Sequence, residues 1–280
     1  MTGQLAAIGA ALSWTLASGL WRSVSGAGSA LTLNALKNGL ACLLFLPVLL
    51  TIPWLDNKDA VIGLLLSGAI GIAAGDSFYL AALRRLGTRR TLTVEALGPV
   101  LASIGSVVMM GEMLSSRAWI GAALVTVAVM LVAGSGEANS RDSAGVLLAL
   151  TAVICGLTGA FLARQLLISS GLSPIQTAAI RLLGGWLALL PVLGRSGGSC
   201  WPMPATGRIR ILMATALGTN LGIALQQLVF QQMAVGPGVT LMSTAPVMAL
   251  CIGHWEGDPI QARGVVAAGL AVAGVACISL

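Results

Sequence analysis

Charge and aromatic residues are scarce in this sequence: Asp, Glu, Lys and Arg together make up 9% of its 280 residues, and Phe, Trp and Tyr 4%. So little charge excludes a chain whose surface faces water, because soluble domains carry about a quarter of their residues as charges. Histidine occurs once, as His254, and no second histidine or cysteine stands at ligand spacing from it, so no metal site is expected. The five cysteines, Cys42, Cys155, Cys200, Cys251 and Cys277, form no C-x-x-C pair. Four of them lie within apolar runs and read as small core residues, with no disulfide framework implied. No G-x-x-x-x-G-K-[ST] is present to cradle a nucleotide phosphate. No acid and base pair, Ser/His/Asp set or ligand cluster converges, so neither catalysis nor a cofactor is expected. The basic residues outnumber the acidic, 15 to 9, yet they are scattered over short connections and not gathered with aromatics, which argues against nucleic acid.

What fills the sequence instead is apolar: 57% of residues are hydrophobic and the mean hydropathy is +0.94. Such a chain lives in a bilayer, whose hydrocarbon takes roughly 20 helical residues to cross. The runs predict ten helices, over about 3–20, 31–52, 60–82, 91–111, 117–134, 144–168, 174–194, 208–234, 237–256 and 262–279. They are continuously apolar and rich in Ala, Leu and Gly, without the alternation of a membrane barrel strand. The start, Met1-Thr2-Gly3-Gln4, has no basic segment and no convincing cleavage site follows, so the first helix is expected to be retained. Trp21, Trp54, Trp119, Trp201 and Trp255 fall near helix ends as interfacial anchors, whereas Trp14 and Trp186 lie deeper.

The sequence is also written twice. Gly71, Gly75 and Pro99-Val100 recur 147 positions later as Gly218, Gly222 and Pro246-Val247. Lys37 and Pro47-Val48-Leu49 recur 144 positions later as Arg181 and Pro191-Val192-Leu193. Ser135 to Ser143 is a short polar stretch of mixed charge and reads as the linker between the copies. The expected fold is therefore all-α and integral to the membrane, ten transmembrane helices as two five-helix repeats, residues 1–136 and 143–280. An odd number of helices per copy gives the copies opposite orientations, the trace of many transporter folds. The basic residues Arg22, Arg84, Arg85, Arg89, Arg90, Arg141, Arg195, Arg208, Arg210 and Arg263 lie in odd-numbered connections, which by the positive-inside rule places both termini outside.

Ionisable side chains within spans are the sharpest pointers to a site, since each costs about 2.5–3.5 kcal/mol at the bilayer centre. Lys37, Asp76 and Glu95 fall on three helices at similar depth, with Trp14 at the same level, and form one network if those helices face one cavity. The alternative is an anchoring cluster, with Lys37 and Glu95 near the interface and Asp76 paired to an arginine of Arg84–Arg90. Asp76 in Gly75-Asp76-Ser77 is the residue best suited to carry a proton, alone or with Glu95. In the second copy Ile223 stands opposite Asp76 and Gln226 opposite Tyr79, so Asn220, Gln226 and Gln227 offer amides where the first half offers charge. Gln231 and Gln232 belong to the helix end. Arg181 either meets a substrate carboxylate or snorkels. The glycine pairs allow close helix approach, and Pro99 and Pro246 kink their helices and free a carbonyl.

A-L-R-R-L-G-T-R-R after the third helix, Pro99 followed by Gly111-Glu112, and Trp119-Ile120-Gly121-Ala122-Ala123 together resemble an EamA-type repeat of the drug/metabolite transporter superfamily. The resemblance covers both halves, since Pro246, Glu256 and Gly264 follow in the same order, with a shorter interval from Pro246 to Glu256. It implies a secondary transporter in the cytoplasmic membrane, moving a small polar or amphipathic metabolite by alternating access, in or out; protons as a coupling partner are an expectation from Asp76, alone or with Glu95, and not from the resemblance. It also implies cytoplasmic termini, opposite to the charge count. A lipid-intermediate flippase and a non-transporting scaffold are the rivals. A central cavity walled by Asp76, Trp14 or Gln226 speaks for the carrier, a cleft open to lipid for the flippase, and a closed bundle for the scaffold.

Overall fold

The computed structural model describes residues 1–22, 30–133, 142–195, 205–249 and 262–279, and these are helical with short turns between. Cys200, Trp201, Cys251, His254, Trp255, Glu256 and most of the 135–143 linker lie outside the described residues.

The first half runs through α1 (Thr2–Arg22), α2 (Ala30–Leu44), the short α3 (Leu46–Leu49), α4 (Lys58–Gly68), α5 (Gly75–Glu95), α6 (Gly98–Met110) and α7 (Ser116–Ala133). The second half runs through α8 (Ser143–Ser170), α9 (Pro174–Arg195), α10 (Ala205–Ala214), α11 (Gly222–Gln232), α12 (Val235–Met242) and α13 (Ala262–Ser279). Among the described residues, 58–87, 90–110, 143–170, 206–232 and 262–279 are helices long and apolar enough to cross a membrane. Local chemistry sets several ends. Asp142 caps α8 by accepting from the Gly145 N–H at 3.0 Å, and Gly171, at φ 68°, closes that helix in the left-handed region that glycine adopts freely. Ser173 and Gln176 then form a reciprocal capping box around Pro174, at 3.0 and 3.3 Å.

The prolines mark interruptions in the helices. Residues 31–52 do not form one helix: α2 stops at Leu44, and Pro47 sits in the first turn of α3. Within the helical stretch 90–110, residues 96–97 form a turn that keeps right-handed helical dihedrals, and Pro99 stands just after it, in the first turn of α6. The sharper break lies earlier, at Gly87 (φ 75°) within α5. Pro246 repeats the arrangement of Pro99, following a turn at 243–244 and opening the helical residues 245–249.

The two copies share a further irregularity. A π-helical turn, Ala69–Ala74, joins α4 to α5, and another, Thr215–Leu221, joins α10 to α11. Each contains the first glycine of its pair and is closed by the second, Gly75 or Gly222. Such turns, hydrogen-bonded i to i+5, are rare and concentrate at functional sites.

Packing exchanges the halves. α2 lies against α9, α6 against α12 and α7 against α13, each element meeting its counterpart from the other copy. α4 and α5 pack on α8, while α11 packs on α1, again an exchanged pair. The glycines permit these crossings: Gly71 backs onto Gly159 of α8, and Gly218 and Gly222 back onto Ala17 and Trp14 of α1. Large apolar side chains such as Leu43, Leu50, Leu147 and Val272 face outward, whereas Asn34, Asn38, Ser67, Arg181, Asn220 and Gln227 are buried. Apolar outside and polar inside is the distribution a helical bundle takes in lipid.

Candidate functional site

Between the copies lies a cavity of about 800 Å³, walled by α1, α5 and its π turn, the start of α6, α8, α11 and α12. Its polar wall comprises Trp14, Thr15 and Ser18 of α1, Asp76, Tyr79 and Glu95 of α5, Gln226 of α11 and Ser243. Its apolar wall is the Ala152–Ala160 stretch of α8 with Val239, Met242 and Pro246. Five residues singled out in the sequence therefore share one space: Asp76, Glu95, Trp14, Tyr79 and Gln226. Gly71, Gly75 and Pro246 border it too.

The π turn explains part of this convergence. It ends two residues before Asp76, and about one helical turn further on α5 carries Tyr79, so this part of the wall is set by the register with which the widened turn delivers α5. A Cβ at Gly75 would meet the backbone of Gly156 and Ala152 of α8 at ordinary contact distance, so the crossing is close beside Asp76.

Among the described side chains, Asp76 pairs with a lysine and not with an arginine of 84–90. Its Oδ2 accepts from Lys37 Nζ at 2.9 Å, an ion pair reaching from α2 to α5. The two side chains are 21% and 39% exposed, so Lys37 neither snorkels away nor lies open, and Asp76 keeps one side on the cavity. Among the described residues the ion pairs are Lys37–Asp76, Arg85–Asp142 and Glu112–Arg164; Glu95 lines the cavity and belongs to none of them.

Arg181 does not snorkel either; it is 3% exposed. Its Nε donates to Ser67 Oγ at 2.9 Å and its Nη1 to Gln226 Oε1 at 3.3 Å. Ser67 Oγ in turn donates to the Gly159 carbonyl at 2.7 Å. One buried cation thereby ties α9, α4, α8 and α11 together and orients the amide that Gln226 presents to the cavity. Gln227 points elsewhere, fully buried, with its Nε2 on Gln226 Oε1 at 3.5 Å. Asn220 is likewise away from the cavity wall, donating to the Ala41 carbonyl at 2.9 Å. Its role is to hold α2 against the second π turn. Gln231 and Gln232 are exposed at their helix end.

On α1, Trp14 Nε1 donates to the Gly218 carbonyl at 2.9 Å and Thr15 Oγ1 to the Ala245 carbonyl at 3.0 Å. The second carbonyl belongs to the residue before Pro246, so α1 of the first copy is tied to the start of the helical residues 245–249 in the second. Ser67 and the small residues of α8 escaped sequence reasoning. The latter had a signal, Gly156-x-x-x-Ala160, which was hidden among 36 glycines.

Comparison with known proteins gives consistent matches. The EamA-like transporter family model matches residues 1–134 and again 143–280. An uncharacterized transporter of Archaeoglobus fulgidus is 32% identical over 151 residues, 53% of this chain and 53% of that protein, so the match spans about half the length of each. A crystal structure described only as that of a protein superposes with a TM-score of 0.83 at 18% identity, covering 98% of this chain and 95% of the other, a likeness of fold alone.

Proposed function

The chain belongs to the EamA-like transporter family of the drug/metabolite transporter superfamily, a family of multi-pass membrane proteins, and on that premise we propose that it is a secondary transporter of a small polar or amphipathic metabolite, amino acid-like or drug-like. It works in the cytoplasmic membrane as ten spans in two inverted repeats, residues 1–136 and 143–280, and alternates access to one central site. The observation that carries this reading is the cavity of about 800 Å³ between the copies, with Asp76, Glu95, Tyr79, Trp14 and Gln226 on its wall. That volume suits a small molecule, and a mostly apolar lining with a few convergent polar groups suits binding. Carboxylates offer a site for an amine or a proton, the tryptophan and tyrosine a flat apolar surface, and the Gln226 amide, held by Arg181, a fixed hydrogen-bonding partner. A scaffold has no use for such a space.

The test is uptake into proteoliposomes of radiolabelled amino acids and amphipathic drugs, with and without a pH gradient. A Cβ added at Gly156 meets no atom within 4 Å, so Gly156→Leu projects its side chain from an unobstructed position on the cavity wall. It is expected to reduce uptake to the level of empty liposomes without lowering the melting temperature; full uptake would sink the cavity as the route. Asp76→Asn is expected to abolish the pH-driven component, and uptake that still follows the gradient would remove Asp76 as the proton carrier.

A further inference from the structure

Both termini lie on one face of the bundle, where Gln4 Nε2 approaches the Ser279 carbonyl at 3.5 Å. Between this terminal face and the cavity stands a second polar cluster that the cavity does not include. Arg164 of α8 donates from Nη2 to Glu112 Oε1 at 2.7 Å and from Nη1 to the carbonyls of Phe230 and Met233. Glu112 follows the left-handed Gly111 (φ 65°) at the end of α6, and its N–H donates to the Ser106 carbonyl at 3.1 Å. Ser106 Oγ accepts from the Gly236 N–H of α12 at 2.8 Å. The end of α6 in the first copy is thus bound to α8, α11 and α12 in the second.

The helical repeat relates this cluster to the cavity. Cavity-lining Ala160, Gln226 and Val239 are each four residues, one turn or about 6 Å, from Arg164, Phe230 and Val235 respectively. Phe161, Phe230, Val235 and Leu241 are buried in the same core. An apolar plug with a charged clasp over it therefore closes the cavity toward the terminal face. The clasp is incompletely satisfied: Glu112 Oε2 and Arg164 Nε are buried without a partner. Parting the pair would let water reach both atoms, so part of what separation costs is recovered, as a contact meant to open requires.

We propose that Glu112 and Arg164, with the Phe230 and Met233 carbonyls, form the closed gate of the terminal face, and that its parting admits the cavity to that side. This rests on the transport reading, but the gate can be read without a cargo. In a chain whose native cysteines are replaced by serine, Ala160→Cys places a thiol on the cavity wall one turn behind the gate. A membrane-impermeant maleimide is then added to sealed vesicles on the terminal face, identified by an N-terminal tag. With the gate residues intact, labelling from this face should be slow; Glu112→Gln and Arg164→Gln should each speed it about tenfold or more, the scale of a coupling between two states. Should either single variant fail to fold, Glu112→Gln with Arg164→Met, which leaves no unpaired charge, carries the same expectation. Fast labelling of the parent, or unchanged labelling in the variants with only a lower melting temperature, overturns the gate and leaves a structural pin. Altered labelling without uptake of any solute would leave the gate standing and count against the transport reading.

Discussion

Gly159→Ala and Gly156→Ala, three residues apart on α8, should move stability in opposite directions. Helix propensity treats them alike: alanine in place of a mid-helix glycine is worth about 1 kcal/mol. Tertiary contact separates them. A Cβ on Gly159 would lie 2.8 Å from the Gly71 Cα and 2.9 Å from the Ser67 carbonyl oxygen, both backbone atoms that cannot rotate aside. Restoring ordinary contact at 3.4 Å requires α4 and α8 to part by about 0.6 Å, which also stretches the 2.7 Å bond from Ser67 Oγ to the Gly159 carbonyl. Overpacking of this kind costs about 1–3 kcal/mol and a weakened interhelical hydrogen bond about 0.6 kcal/mol or more. After the propensity gain, Gly159→Ala should lose about 1–3 kcal/mol, a fall in melting temperature of about 3–10 °C. Gly156 has no atom within 4 Å of an added Cβ, so Gly156→Ala should keep the propensity gain and melt about 2–4 °C higher. Tryptophan fluorescence melting in one detergent would measure both. A Gly159→Ala protein as stable as its parent, or equal shifts in the two variants, would refute the claim that the α4–α8 crossing is in backbone contact.

Two further outcomes are expected. Lys37→Met and Asp76→Asn should each cost about 1–3 kcal/mol, between exposed and buried pairs because both side chains are partly exposed. The double variant should cost clearly less than the sum, and additivity within about 0.5 kcal/mol would mean the pair is not coupled. Asp142 outside the spans has its carboxyl held below the ordinary aspartate value, chiefly by the Gly145 N–H and further by Arg85. A lowered folded pKa gives stability that is present above the unfolded value and lost as pH falls through the folded one. The first turn of α8 should therefore fray on acidification below the ordinary aspartate range, read as faster amide exchange at Gly145; Asp142→Asn should remove that pH dependence, and an unaltered profile would rule out the cap.

Much of the site was legible because its members are costly. Asp76 and Glu95 stood out as carboxylates in apolar runs, and Gln226 stood out as the position where the second copy departs from Tyr79. Chemistry expensive enough to need a reason is visible without coordinates. Pairings were not legible, since a charge in a span announces itself but not its partner. Lys37 reaches across to Asp76, and Arg181 turns inward to Ser67 and Gln226, partners on α5, α4 and α11 that only the packing of α2 and α9 among the other helices brings within reach. Asn220 and Gln227 look as available as Gln226 in the sequence, yet the second π turn buries the first, α11 buries the second, and only Gln226 reaches the cavity.

Composition and repetition, which are properties of the chain, by themselves determined that this is a membrane bundle of helices written in two related halves. Hydrophobic length and internal likeness need no contacts to be read. Only the tertiary structure decided that the paired glycines lie in and close two π turns, that Pro47 and Pro246 stand in the first turns of helical segments, and that Glu112 meets Arg164 across the copies. Those outcomes depend on which helix crosses which and at what distance, and in a bilayer a change of a few tenths of an ångström between backbones selects among alternatives that the sequence leaves equal.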